Sequence, residues 1–403
     1  MEKGVSGEPG ERANLLAKVK SMRQSHLKWA LAGASAIAAL MVGQARAATV
    51  EKAVFGTAAD GRTVELITLR NRHGMTVRVS TRGGSITEIS APDRKGVVKN
   101  LVTGHPDFAS WEMGGNAIVG RYANRIGGGG FSIDGVFYKL GWANPATKVA
   151  LHGGPVGFAR RLWTAETFTR GERAGAILSY DSPDGENDFP GEVKVDVTYS
   201  LGEDNVLRLE FHATTTKPTV INLTSHTGFN MGGYDSGPVY DQRLQVFAGH
   251  YTPTDQNLVP TGEIAPVKGT PFDFLKPTRI GDKIYSADPQ MLFGKGYDHN
   301  FVLDKPAGKP GPALAVRLYD PKSGRRLDVR TTEPGVQIYS SNGDNGSRVG
   351  APGRAVRQSD FLAIETQHFP DSPNKPNFPS TVLRPGTPFH SVTEFAFFTD
   401  VKK

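Results

Sequence analysis

Apolar and polar residues alternate with a period of two in short runs along most of the chain after residue 48, and Gly, Pro, Asn or Asp separates the runs. In Met75-Thr76-Val77-Arg78-Val79-Ser80 every second side chain is apolar, the pattern of a strand with one buried face. Phe131-Ser132-Ile133 and Val136-Phe137-Tyr138-Lys139-Leu140 flank Asp134-Gly135, a dipeptide that accepts the positive φ angles of a tight hairpin turn. Two further hairpins are predicted. Residues 193–199 and 206–211 join across Gly202-Glu203-Asp204-Asn205, and residues 314–319 pair with 327–331 across Pro321-Lys322-Ser323-Gly324. Beyond residue 48 no amphipathic stretch of helical period exceeds ten residues, which argues against βαβ units and a parallel sheet. The expected fold is all-β, a large antiparallel β-sandwich.

The chain has 403 residues, 38% of them hydrophobic, with 48 glycines and 27 prolines, so it can bury a core while turning often. Length alone allows one to three domains, since large sandwiches run past ~200 residues as single units. Lys305-Pro306-Ala307-Gly308-Lys309-Pro310-Gly311-Pro312 is the stretch most like a linker, yet a boundary there would cut Glu365 and the third hairpin away from His226. One domain over residues 50–401 is the simpler expectation.

The net charge of +7 does not point to an acidic partner. Residues 1–47 hold seven Lys/Arg against three Asp/Glu, so most of the excess sits there, and no basic run interleaved with aromatics follows residue 50. Nucleic-acid binding is not expected. Cysteine is absent, which excludes disulfides, thiolate nucleophiles and Cys-based zinc sites. In the first 47 residues Arg23 and Lys28 precede an apolar stretch, residues 29–42, and Ala45-Arg46-Ala47 follows as a small-x-small cleavage pattern. The stretch is shorter than the ~20 residues a membrane-spanning helix needs. A secretory signal removed after Ala47 is expected, with the mature protein in a periplasm and not inserted in the membrane.

Several polar segments set hydrogen-bonding side chains among glycines and aromatics. Glu365 lies in Ala363-Ile364-Glu365-Thr366-Gln367-His368-Phe369-Pro370-Asp371, and His226 in Asn222-Leu223-Thr224-Ser225-His226. A carboxylate and an imidazole offer one general base and one general acid, the division of labour needed to open and reclose a sugar ring. In Gly120-Arg121-Tyr122-Ala123-Asn124-Arg125-Ile126-Gly127 the Arg125 guanidinium can fork onto vicinal hydroxyls, or lie on a strand edge. In Leu151-His152-Gly153-Gly154 the glycines allow backbone to approach a ligand, though a lone histidine is equally a structural one. In Gly269-Thr270-Pro271-Phe272-Asp273-Phe274 the acid between two aromatics is either a ligand partner or a turn former. The histidines match no short metal-ligand spacing, and Gly127 to Gly130 run into a strand without a phosphate-loop pattern.

Taken in order, these segments resemble the aldose 1-epimerase (galactose mutarotase) family. The likeness also takes in Gly157-Phe158, Trp163, Pro183-Asp184-Gly185, Phe189-Pro190-Gly191 and Tyr297-Asp298-His299, and spans nearly all of the chain after the N-terminal extension. The resemblance implies the galactose mutarotase-like β-sandwich, a free aldose such as glucose or galactose as substrate, and neither metal nor organic cofactor. It implies Glu365 as the base on the C1 hydroxyl, with its pKa shifted upward, and His226 as the acid on the ring oxygen, the two facing each other across a pyranose. Asn124, Arg125, His152 and Asp273 are implied to hold the sugar hydroxyls. The run His226-Thr227-Gly228 departs from the family, which usually has an aromatic where Gly228 stands; a wider wall beside the acid is the consequence expected. Two other readings stay open on the sequence: a sugar-binding module on the same sandwich without turnover, and a glycoside hydrolase or lyase working with two carboxylates, Glu365 and Asp273. The preferred sugar and the oligomeric state are not legible.

Overall fold

Three antiparallel sheets carry the architecture. The structure, a computed structural model, describes residue 1 and residues 47–104, 108, 115–305, 310–350 and 353–400. The expected N-terminal extension and secretory signal, apart from Met1 and Ala47, lie outside the described residues. A five-stranded meander runs in chain order through Thr49–Thr57, Thr63–Arg70, Thr76–Ser80, Ser85–Pro92 and Val98–Asn100. A nine-stranded sheet is ordered Thr164–Arg170, Arg173–Ser182, Val193–Gly202, Val206–Thr215, Phe389–Thr399, Arg325–Thr331, Ala313–Tyr319, Arg243–Val246 and Thr278–Arg279. A six-stranded sheet is ordered Gly228–Phe229, Leu362–Gln367, Gly335–Tyr339, Asp298–Val302, His250–Tyr251 and Ala265–Pro266. This is the large antiparallel sandwich that the alternating pattern predicts.

All three expected hairpins form. Gly130–Ile133 pairs with Val136–Lys139 around Asp134 and Gly135, whose φ angles of 52° and 81° are those the dipeptide was expected to accept. Val193–Gly202 pairs with Val206–Thr215, and Ala313–Tyr319 pairs with Arg325–Thr331 with a bulge between Leu314 and Val316. Ala313–Tyr319 enters the nine-stranded sheet between Arg243–Val246 and Arg325–Thr331.

The inward faces merge into one core. Val195, Val197 and Tyr199 from the nine-stranded sheet, Val77, Val79 and Ile89 from the meander, and Val336, Ile338 and Ile364 from the six-stranded sheet all belong to it. Each large apolar side chain removed from water contributes ~1.5–3 kcal/mol, and the period-two pattern directs them all to the same interior.

Along the six-stranded sheet the alternation has a second consequence. Glu365 lies opposite Gln337, which lies opposite Asn300, and Ala363 lies opposite Tyr339, which lies opposite Asp298. These residues share the face turned away from Ile364 and Ile338. Both faces of the sheet are therefore buried there, one apolar and one polar, and the polar face is the floor of a cavity.

Asn222 fixes where the neighbouring segments meet that floor. Its fully buried side chain donates to the carbonyls of Ala123 and His368 at 3.1 and 3.2 Å and accepts from the His368 N–H at 3.0 Å. Its backbone bonds with Arg121 and Ala123 in a parallel bridge at Tyr122. One amide thus ties residues 121–123, the run leading to His226, and the end of the strand that bears Glu365. Asn222→Leu keeps the volume but leaves three buried backbone groups without partners. We expect it to lower stability by ~2–4 kcal/mol, read as an earlier urea midpoint with an unchanged slope.

Candidate active site

Five of the six side chains singled out in the sequence line one cavity of about 410 Å³: Asn124, Arg125, His152, His226 and Glu365. Each arrives on a different local device. Thr224–Ser225 pairs with Ile118–Val119, and the His226 N–H donates to the Ala117 carbonyl at 2.9 Å, which presents the imidazole at the mouth of the sheet. Arg125–Ile126 pairs with Ala150–Leu151, setting Asn124 beside His152. Glu365 comes from the centre of Leu362–Gln367, where all six residues are buried.

His226 Nε2 stands 3.4 Å from Glu365 Oε1. The two groups are neighbours on one wall, not opposed across the width of a sugar ring as the sequence reading supposed. Burial pushes the Glu365 carboxyl up from its ordinary 4.5 to about 7, with nearby His226 opposing the shift and Asp298 adding to it. Its Oε2 is buried and has no hydrogen-bond partner among the described residues, a disposition found where a carboxyl group serves a ligand.

The residues around this pair are held in fixed states. The His152 Nδ1 accepts from the Asn124 N–H at 3.1 Å, and burial holds the ring well below its ordinary pKa. A neutral ring with Nδ1 accepting carries its proton on Nε2 and is a donor there. Its ring meets that of His226 edge-on at 5.3 Å. Asn124, with φ of 64°, accepts through Oδ1 from the Arg125 N–H at 2.8 Å and from its Nη1 at 3.3 Å, while Arg125 Nη2 pairs with Asp298 at 3.1 Å. Asp298 in turn accepts from Gln337 Nε2 at 2.6 Å. Arg125 is thus aimed by two oxygens, leaving a planar fork at the cavity wall.

Asp273 is the exception. Phe272 and Phe274 are buried against Tyr297 and Phe301, so the side chain between them is turned the other way. Its Oδ1 accepts from the Leu275 N–H at 3.4 Å, the turn-forming role, and it does not line the cavity. Asp298 supplies the acid in that wall instead. A two-carboxylate hydrolase built on Glu365 and Asp273 therefore has no shared site.

Two glycines also act differently from expectation. Gly153 approaches protein, not ligand: a Cβ there would lie 2.1 Å from the Gly120 carbonyl oxygen. Gly228 does not widen the wall, because a Cβ on it would meet the Phe361 ring at 2.2 Å. Phe361 comes in from the segment before Glu365 and lines the cavity beside Tyr339.

Sequence reasoning passed over Gln337, Tyr339, Asp298 as a site residue, and Phe361. Asp298 stood in a segment the resemblance takes in, and Gln337 left a trace as a polar residue in the apolar run Gly335–Tyr339. His299, considered as a metal ligand, is buried against Phe272 with its Nε2 on Gln290 Oε1 at 3.1 Å, and burial lowers its pKa to about 4. Among the described residues no three His, Cys, Asp or Glu side chains gather as a metal site.

The Glu365 shift has a measurable consequence. Between pH 4.5 and about 7 the folded chain holds a proton that the unfolded chain has released, so this group's contribution to stability falls as pH rises through that window. Glu365→Gln carries no such penalty. The variant is expected to match the wild type below pH 5 and to exceed it by up to ~3 kcal/mol above pH 7, measured by urea unfolding across pH. A difference independent of pH contradicts the shift.

The Aldose 1-epimerase family model matches residues 65–396. Galactose mutarotase of Mus musculus is 38% identical over 355 residues, covering 87% of this chain and 98% of its own length. Aldose 1-epimerase of Escherichia coli (strain K12) is 34% identical, covering 85% and 98%. Among solved structures, galactose 1-epimerase from Lactobacillus acidophilus NCFM superposes with a TM-score of 0.76 at 27% identity, over 87% of this chain and 99% of its own. An aldose epimerase homologue from C. elegans gives 0.74 at 28% identity, over 83% and 98%. With the sandwich, the cavity and this similarity over nearly its whole length, the chain belongs to the aldose 1-epimerase family.

Proposed function

We propose that this protein is a mutarotase that interconverts the α and β anomers of free aldoses such as glucose and galactose, with Glu365 as base and His226 as acid. The observation that carries the reading is the 3.4 Å contact between these two side chains at the cavity wall. The C1 hydroxyl and the ring oxygen are bonded to the same carbon, so a base for one and an acid for the other must stand side by side, as these do. Glu365 takes the proton of the C1 hydroxyl, a carbonyl forms at C1, and the bond from C1 to the ring oxygen breaks as His226 gives that oxygen a proton. Rotation about C1–C2 turns the aldehyde over, and reclosure runs the same transfers backwards. A carboxyl group raised to about 7 suits both directions, because it gives up its proton as readily as it takes one.

The other side chains complete the reading. The Arg125 fork and the His152 Nε2 proton offer donors to hydroxyl oxygens, and Asn124 and Asp298 set their aim. The leader pattern in residues 23–47 supports secretion across an inner membrane into a periplasm. N-terminal sequencing of the exported protein is expected to begin at Ala48; a chain retained at full length in the cytoplasm contradicts this.

Polarimetry on freshly dissolved α-glucose tests the activity itself. Wild type is expected to speed relaxation well above buffer, and Glu365→Gln and His226→Asn to lose about 100-fold or more in kcat. The kcat/KM profile is expected to fall on the acid side of about 7, where Glu365 becomes protonated. Wild-type relaxation no faster than buffer removes the epimerase reading, and full activity in both variants removes the assignment of roles.

A further inference from the structure

The cavity wall carries a charged side chain that the proposed reaction does not use. Arg348 lies over the face of Phe361, 5.9 Å from the ring centre, and both residues line the cavity. Arg348 Nε and Nη2 both donate to Asp344 Oδ1, at 3.1 and 2.9 Å, and the other oxygen of Asp344 accepts from Ser341 Oγ at 2.9 Å. One carboxylate oxygen thus holds the guanidinium and the other is fixed by Ser341. Arg348 Nη1 makes no hydrogen bond among the described residues and remains as a donor. Asn345–Gly350 and Arg354–Arg357 form the small two-stranded sheet that brings Arg348 in, and Val356 from its second strand packs in the same cluster as Phe361 and Ala363.

The placement selects a part of the substrate. If Glu365 serves the C1 hydroxyl and His226 the ring oxygen, the only other atom bonded to that oxygen is C5. Wall residues on the His226 side, away from Glu365, then face C5 and what it carries. Tyr339 leads from the acid along the wall: its ring lies 6.1 Å from that of His226, and it packs against the cluster that holds Phe361, over which Arg348 lies. The apolar ring gives the C5–C6 edge a surface, and the guanidinium offers only donors, so the group it recognises is an acceptor.

We propose that Arg348, positioned by Asp344 over Phe361, is a specificity residue that reads the substituent at C5, favouring aldoses with oxygen at C6 and, above all, hexuronates, whose C6 is a carboxylate. The inference rests on the mutarotase reading for its orientation of the sugar. Glucose, xylose, which lacks only C6 and its hydroxyl, and glucuronate form the test series.

Anomer relaxation is measured on all three sugars with wild type, Arg348→Leu and Arg348→Lys, with thermal unfolding to confirm that each variant folds. Wild type is expected to prefer glucose over xylose by about 10-fold in kcat/KM and to accept glucuronate at least as well as glucose. In Arg348→Leu the glucose-to-xylose ratio is expected to approach one and glucuronate to lose about 100-fold, mostly in KM, with Arg348→Lys between the two. Ratios that Arg348→Leu leaves unmoved overturn the proposal. Calorimetric binding of glucuronate and xylose keeps the two readings apart: Arg348-dependent glucuronate affinity without turnover sinks the mutarotase reading alone, whereas affinity indifferent to Arg348→Leu sinks this one.

Discussion

Three stretches of chain, the second 99 residues beyond the first and the third 146 residues beyond the second, are joined at the side chain of Asn222. An amide suits this place because it donates twice and accepts, matching two carbonyls and one N–H that no strand ladder would otherwise satisfy. Every distance in the cavity depends on that junction. Asn124 and Arg125 continue from one stretch, His226 ends the second, and Glu365 lies three residues before the third contact at His368. A shift of one stretch against another would part Glu365 from His226.

The second constraint is the burial of polar groups on the inner face of the six-stranded sheet. Glu365, Gln337 and Asn300 line up across three strands, with nearly no exposure, and each carries an oxygen without a hydrogen-bond partner among the described residues. Such a row lowers stability, since each desolvated group forgoes water. The surrounding sheets offset it through a core that is continuous under the site. Desolvation is also what moves the Glu365 carboxyl into a range useful for proton transfer at neutral pH, so the instability and the chemistry share one cause. Arg121 shows the same economy outside the cavity: its buried guanidinium donates to Ser182 and to the carbonyls of Pro183, Pro190 and Gly191, which closes the loops behind the site and leaves the neighbouring Arg125 to face it.

Much of the site was legible because its residues sit in short polar segments where an apolar strand pattern breaks. Glu365 and His226 stood out in that way, as did the run containing Asn124 and Arg125. The misreadings have one origin. Phe272-Asp273-Phe274 and Tyr297-Asp298-His299 each set an acid between aromatic or imidazole rings, and nothing within either triplet tells which acid faces the cavity. Packing made the choice: Phe272 and Phe274 anchor inward and turn Asp273 out, whereas the register of Asp298–Val302 against Gly335–Tyr339 puts Asp298 on the floor with Tyr339. Gly228 was misread for a similar reason, since the ring that fills its place is Phe361, far along the chain.

By itself the sequence determined the strand pattern, the hairpins and the family, because alternation, turn chemistry and the order of polar segments are local properties that survive in a one-dimensional string. It also singled out Glu365 and His226 as a carboxylate and an imidazole able to share proton transfer, since each carries that chemistry in its own side chain. Only the tertiary structure decided that the two stand side by side, which aspartate joins them, how far the carboxyl group is shifted, and what closes the wall at Gly228. Those outcomes are set by register between strands distant in sequence and by the exclusion of water from a face they build together, and neither quantity exists until the sheets have packed.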